Sequence, residues 1–450
     1  MSLAKTDVVV DLNTKVGDVK IMNAVNNGPS AWRSDQTRTN FGDYQALEIP
    51  YARTHDSAHC HAYGGCHSVD ITGIFPDFSK DAEDPTSYDF VETDDYLKTM
   101  RAAGTEPFYR LGQSIEHWIK KYGVNPPADF DKWAAICEHI VRHYNEGWAD
   151  GFEWNIMYWE IWNEPDLKPA ADGRPSPTWT GTPEQFYDLF SKTVLRLKKA
   201  FPKLKIGGPA LAYDEQWADA FLAEMRRRGV ALDFFSWHIY AVLPEPVAEK
   251  AVRMRALLDK HGYNNTESIL NEWNYVRNWS DDWIYSLQVE MGEMNYKGAA
   301  FVSAVLTRCQ RAPIDMLMFY DARVSGGMNN LFDQMSLEPS RGYYPFKAWA
   351  KMRRLGTEAA VKINGQNDIY VMAAVGLDGH AGILVTRYLD DDNVTAIELV
   401  KVRVDGRSLA DATCHLTDKV RFYTQIFPTA DEDGAITLQM KPNSFAFIEL

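Results

Sequence analysis

Glu164 and Glu272 stand apart from the other carboxylates of the sequence because of their neighbours. The first lies in Trp159-Glu160-Ile161-Trp162-Asn163-Glu164-Pro165-Asp166 and the second in Leu270-Asn271-Glu272-Trp273-Asn274-Tyr275. Each run sets a carboxylate among indole, phenol and amide groups. Such surroundings suit a sugar, whose apolar ring face packs on an aromatic ring while its hydroxyls need amide, carboxylate or imidazole partners. Two glutamates so placed are the minimum apparatus for cleaving a glycosidic bond: one protonates the leaving oxygen while the other attacks the anomeric carbon or activates water. The gap between them decides which, roughly 5–5.5 Å for the first route and roughly 6.5–9.5 Å for the second.

Other residue types are placed to assist. Glu160 shares strand parity with Glu164, and a buried, hydrogen-bonded structural role is the expectation for it. His238 and Tyr240 also share parity and could face one pocket together, and Arg53 and His55 form a second such pair. Arg53 could touch sugar or instead fix the carboxylates electrostatically. Trp118, Trp273 and Trp279 are candidate sugar platforms among fourteen tryptophans, most of which must serve the core. The run from His55 to His67 is rich in imidazole and thiol, but its spacing fits no standard zinc pattern; a substrate loop, with His59 or His61 at the rim, is the preferred reading. No glycine-rich phosphate loop, nucleotide fingerprint or serine nucleophile elbow is present, so neither a cofactor nor a metal is expected.

Eight strand candidates precede residue 321, separated by longer amphipathic runs: 19–23, 46–55, 106–111, 156–162, 205–208, 233–238, 268–272 and 315–320. They predict a (β/α)₈ barrel, with Glu164 and Glu272 at the C-terminal ends of strands four and seven, where barrel enzymes hold their sites. Thr93 is expected to cap a helix through Met100, Thr182 with Pro183 to open one through Lys199, and a third is expected over 282–308. After Trp349 the pattern changes to short strands at 363–364, 368–375, 382–388, 395–401, 412–416, 436–440 and 445–450, which predict a C-terminal antiparallel β-sandwich. The expected division is therefore a barrel over 13–350 and an accessory sandwich over 351–450, joined by an early strand at 6–12.

The 450 residues include 45% hydrophobic and 13% aromatic side chains, enough for a large core, and a net charge of -15. That charge opposes binding to nucleic acid or an anionic membrane and favours a neutral glycoside or oligosaccharide as partner, with a homo-oligomer left open. The run Met1–Asp7 lacks the basic and apolar regions of a signal peptide, so the chain as given is expected in the cytoplasm, or in the periplasm or medium if a leader has been removed. Five cysteines do not make a disulfide scaffold, although Cys60 and Cys66 are close enough in sequence to bridge.

The pairing of Asn163-Glu164-Pro165 after strand four with Glu272 after strand seven resembles the signature of clan A glycoside hydrolases. The longer run Trp159–Asp166 is similar to glycoside hydrolase family 39, which includes β-xylosidases and α-L-iduronidases. Tyr51-Ala52-Arg53-Thr54-His55, Ser236-Trp237-His238-Ile239-Tyr240 and the order of barrel then sandwich extend the resemblance over nearly the whole chain. It implies Glu164 as acid/base and Glu272 as nucleophile in a retaining double displacement, Tyr240 orienting the nucleophile, and Asn163 binding the 2-hydroxyl. A β-xyloside or α-L-arabinoside, cleaved from a chain end, is the expected substrate. Asn271 stands where xylosidase-like members commonly carry threonine, and the segment 321–330 matches no family pattern, which leaves the sugar open. A uronic acid would need a basic pocket, for which Arg53 and Arg323 are few; a barrel that binds carbohydrate without cutting it is the other alternative.

Overall fold

The computed structural model describes residues 4–29, 39–56, 68–277, 295–324, 331–333 and 336–450. A long first strand, β1 (Ala4–Asp18), precedes eight parallel strands that close into a barrel in chain order. These are β2 (Ile21–Asn26), β3 (Tyr51–Arg53), β4 (Glu106–Leu111), β5 (Tyr158–Ile161), β6 (Lys205–Leu211), β7 (Phe234–Ala241), β8 (Glu267–Tyr275) and β9 (Met316–Phe319). All eight expected strands are present. The second is much shorter than the apolar run 46–55 suggested, because residues 41–45 form a helical turn and Glu48, with φ of 47°, turns the chain just before Pro50.

The lumen is layered by strand alternation. Ala24, Phe108, Tyr158, Phe234 and Ile269 form an apolar plug, with the Phe108 ring centroid 5.1 Å from both Tyr158 and Phe234. Two residues farther along the same strands come Asn26, Arg110, Glu160, Ser236 and Asn271, all buried and polar. Period-two geometry thus converts an oily floor into a hydrogen-bonding layer within one step of each strand. The intervening residues Trp159, Phe235 and Leu270 face outward into the core shared with the helices.

Helix starts follow local chemistry. Thr182 and Gln185 form a reciprocal capping box at 3.2 and 2.9 Å, with Pro183 in the first turn of a helix that runs to Ala200. Thr93 does not cap: its helix begins at Val91, and its hydroxyl donates to the Ser68 carbonyl instead. The helix expected over 282–308 is described from Tyr296 to Cys309, and its earlier part lies outside the described residues. No helix among the described residues is long and apolar enough to cross a membrane.

The remaining strands are β10 (Thr357–Asn364), β11 (Ile369–Val375), β12 (Ala381–Arg387), β13 (Glu398–Val404), β14 (Thr413–Thr417), β15 (Thr424–Ile426), β16 (Ile436–Met440) and β17 (Ser444–Glu449). With β1 they form one nine-stranded sheet, ordered β15-β14-β17-β12-β11-β10-β1-β13-β16. Side chains from strands spread across this order, among them Val8, Val10, Ile383, Val400, Leu438 and Ile448, meet in a single apolar cluster, so the sheet encloses its own core. The sheet is not wholly antiparallel, since β1 enters parallel to β13 while running antiparallel to β10. β15 answers to no expected strand.

Alternate residues bind this sheet to the barrel. Ile383 and Val385 point into the sheet's own core, while Leu384, with Phe445 and Phe447, joins the barrel's. The loop after β12 then reaches the mouth of the barrel. Buried Lys297 meets Asp390 at 2.8 Å and Asp392 at 2.7 Å, and the Tyr275 hydroxyl, three residues beyond Glu272, donates to Asp390 at 2.7 Å.

Candidate active site

Glu164 leaves the end of β5 in an unusual backbone. Trp162 has φ of 73° and Glu164 φ of 49°, both left-handed and both costly for side chains of their size. Several bonds hold the turn: the Trp162 amide donates to the Leu111 carbonyl at 2.8 Å, the Glu164 amide to Ala210 at 3.0 Å, and the Thr178 hydroxyl to the Glu164 carbonyl at 2.6 Å. Gly112 makes room, since a Cβ there would stand 3.1 Å from the Trp162 Cα. Asp166 accepts the amides of Ala212, Tyr213 and Asp214, each at 2.9 Å, and so ties this turn to the loop after β6.

Glu272 reaches the lumen through a β-bulge. Leu270 pairs with Trp237 but Glu272 pairs with His238, so Asn271 is an extra residue in β8. As a result two consecutive side chains serve the interior: Asn271 donates to Glu160, and Glu272 meets Arg53 at 2.7 Å and the Tyr240 hydroxyl at 2.9 Å. Parity then resumes, and Trp273 faces outward. Its indole is fully buried, with its ring centroid 5.3 Å from Phe319 and 6.3 Å from Phe301, so it is a core residue and not a sugar platform.

Arg53 joins the polar layer to the reactive one. Its Nε meets Glu160 at 2.5 Å, Nη1 meets Glu272 at 2.7 Å and Asn26 at 3.2 Å, and Nη2 meets Asn163 at 2.7 Å. With no solvent exposure and each nitrogen engaged, Arg53 acts beneath the site, where it holds Glu160, Glu272 and Asn163 in place. Glu160 fits its expected structural role, accepting from Arg53, Ser236 and Asn271.

His238 bridges the two glutamates. Its Nδ1 lies 2.7 Å from Glu164 Oε1 and 3.5 Å from Glu272 Oε2. One oxygen from each glutamate and one ring nitrogen of His238 all lie within 4.8 Å of one another. Three such ligands could hold a metal ion; here Glu272 also meets the Arg53 cation and the Tyr240 phenol, and Glu164 meets the imidazole.

The two carboxyls differ in environment. Burial, reinforced by the negative charge of Asp166, pushes Glu164 up to about 8, so it is protonated at neutral pH. Glu272 is also raised by burial, but the Arg53 charge opposes that rise, and two donors point at its oxygens. Burial lowers His238 to about 4 and His55 well below its usual value, so both imidazoles are neutral. A protonated carboxyl facing a second carboxyl that is met by two donors is an arrangement suited to acid-assisted cleavage of a glycosidic bond.

Among the buried polar atoms here without a hydrogen-bond partner are both ring nitrogens of His55, Nε2 of His238 and Nδ2 of Asn163. Buried polar atoms are rarely left so, and these are free for substrate hydroxyls. Arg323, by contrast, is spent on the protein, meeting Asp321 at 2.7 Å, the Asp56 carbonyl at 2.7 Å and the Tyr320 hydroxyl at 3.1 Å. Trp118 lies in the loop after β4 and is 81% exposed. Trp279 and residues 57–67, including Cys60, Cys66, His59 and His61, lie outside the described residues, as does 325–330.

Asp166 and Lys250 were missed as site residues in the sequence. Asp166 could have been found as a third carboxylate within the motif itself. Lys250 gave no signal, being one lysine on an amphipathic helix.

A model of glycosyl hydrolases family 39 matches residues 42–292, more than half the chain. A β-xylosidase from Caldicellulosiruptor saccharolyticus is 28% identical over 166 residues, which cover 34% of this chain and 31% of that protein. A β-xylosidase from Geobacillus stearothermophilus is 26% identical over 237 residues, covering 46% and 44%. The matched stretches thus span less than half of either relative's length. Among solved structures, a glucosidase from Croceicoccus marinus aligns with a TM-score of 0.76 at 20% identity over 100% of this chain and 99% of its own. A family 39 enzyme from Xanthomonas axonopodis pv. citri gives 0.70 at 16%, covering 100% and 98%. At these identities the likeness is one of fold.

Proposed function

The chain belongs to glycosyl hydrolases family 39, and from that premise we propose that it is a retaining glycosidase releasing a neutral sugar from a chain end, with a β-xyloside the first substrate and an α-L-arabinoside the second. Glu164 is the acid/base and Glu272 the nucleophile. The observation that supports this reading best is that one oxygen of Glu164 lies within 4.8 Å of one oxygen of Glu272, nearer to the roughly 5–5.5 Å of retaining pairs than to the roughly 6.5–9.5 Å of inverting ones.

In the first step Glu164 gives its proton to the glycosidic oxygen as that bond breaks, and Glu272 bonds to the anomeric carbon. Glu164, now a carboxylate, then takes a proton from water, whose oxygen displaces Glu272 with a second inversion. Arg53 and Tyr240 keep Glu272 ionised and aimed. The free Nδ2 of Asn163 donates to the 2-hydroxyl, and His55 with the Nε2 of His238 serves other hydroxyls of the same ring. Trp118 stacks on the sugar beyond the scissile bond. Its loop is stitched to the Glu164 loop by Glu116 N–H to Pro177 at 2.9 Å, next to the Thr178 that holds the Glu164 carbonyl. The proton donor stands on the leaving-group side, so this rim belongs to that side as well.

The two β-xylosidase relatives support the pentoside choice. A uronic acid is disfavoured because Arg53 and Arg323 are both neutralised within the protein. The test is hydrolysis of a panel of aryl glycosides (β-xyloside, α-L-arabinosides, β-glucoside, β-galactoside, α-L-iduronide), with Glu272→Ala as control. Turnover of a pentoside, lost in the control while sugar binding persists, is the expected result. Turnover confined to another glycone would overturn the sugar. Binding of sugars and oligosaccharides without turnover by the folded wild type would favour the non-hydrolytic reading.

A further inference from the structure

Lys250 is 5% exposed and lies on the helix Pro244–Lys260, behind the barrel wall. Its Nζ donates to the carbonyl of His238 at 2.7 Å and to that of Ala212 at 3.1 Å. Both contacts lead to the proton donor. The ring of His238 holds Glu164, and the amide of the same Ala212 donates to Asp166, two residues beyond Glu164. A buried cation and a buried anion therefore grip the one residue Ala212, at its carbonyl and at its amide, and the cation also fixes the strand that presents the imidazole.

Burying an ammonium is costly, and a methionine of similar length would pack here without that penalty. A lysine at this position needs a reason. We propose that Lys250 is a positioning residue for the proton donor: it locks the ends of β6 and β7 so that His238 and Glu164 stay in register, and it supplies the positive charge that offsets Asp166. The roles of Glu164 and His238 in this statement rest on the glycosidase reading above.

The charged groups that face the ammonium are Asp166 and Glu164 from the turn after β5, Glu215 from the helix after β6, and Arg253 from its own helix. Burial holds Lys250 down to about 8, so it keeps its charge at neutral pH while lying in the range where Glu164 titrates. Its charge in turn lowers Glu164, against the larger effects of burial and Asp166.

The experiment compares Lys250→Met with Lys250→Arg. The carboxyl of Glu164 is followed by ¹³C NMR through a pH titration, and kcat/KM is followed over the same range. In Lys250→Met the Glu164 titration and the alkaline limb of activity should both move upward by roughly half a pH unit, because the donor has lost a nearby positive charge. In that variant kcat should fall about tenfold with KM little changed, as expected for a misplaced proton donor. Lys250→Arg, which keeps charge and donors, should leave the Glu164 titration in place. An unmoved titration in folded Lys250→Met would overturn the proposal and leave Lys250 as filler. Equal displacement in both variants would overturn it too, since packing and not charge would then be responsible. The NMR titration needs no substrate, so an inactive wild type would sink the glycosidase reading without obscuring this one.

Discussion

Arg53 and Glu272 meet at 2.7 Å with the guanidinium wholly out of solvent, and the same arginine holds Glu160 through a different nitrogen. Glu272 is therefore anchored to a second buried carboxylate through one shared cation. Arg53→Lys keeps the charge but reaches only as a point donor, and is expected to lower kcat/KM about 100-fold. Arg53→Met leaves two buried carboxylates without their cation and should destabilise the fold by roughly 3–5 kcal/mol. Urea melts read the second effect, and steady-state kinetics on the purified Arg53→Lys protein read the first.

Glu164→Gln separates chemistry from stability. In the wild type the carboxyl keeps its proton up to about pH 8 when folded but releases it near 4.5 when unfolded. Between those values the folded state binds more protons, so its stability falls as pH rises and the loss is complete above 8. Glutamine has no such term. The variant should lose hydrolysis of unactivated glycosides by at least about 100-fold, yet melt a few degrees above wild type at pH 8 and level with it near pH 4.5. In the wild type, kcat/KM should decline as pH passes about 8. A melting difference that is the same at both pH values would contradict the assignment.

Trp118→Ala tests the leaving-group rim. An indole face stacked on a sugar contributes about 0.5–1.5 kcal/mol, so kcat/KM on a xylo-oligosaccharide should fall about twofold to tenfold. On a small aryl xyloside, which does not reach the rim, the loss should be under twofold. Equal losses on the two substrates would place Trp118 elsewhere in the mechanism.

Most of the architecture was legible because period and length are local properties. The outward tryptophan at 159 and the inward glutamate at 160 alternate as the sequence implies, and the eight strands follow from such runs. The site is legible where parity holds, as at His238 and Tyr240. It is hidden at Asn271, because a bulge is not marked by any residue type in Leu270-Asn271-Glu272-Trp273. Simple alternation there gives Glu272 and Asn274 to one face and cannot give Asn271 and Glu272 to the same one. Lys250 was invisible for another reason, since its partners are backbone carbonyls on two strands that meet it only in the folded barrel.

The ion pairs of Lys297 with Asp390 and Asp392 carry a practical consequence. The sheet behaves as a buttress and not as a detachable module. Cutting the chain after Leu355 would strand an ammonium in the wall of the barrel, strip Tyr275 of its acceptor three residues beyond Glu272, and bare the outer face of the helix Tyr296–Cys309. A minimal enzyme built from this scaffold has to retain residues 356–450.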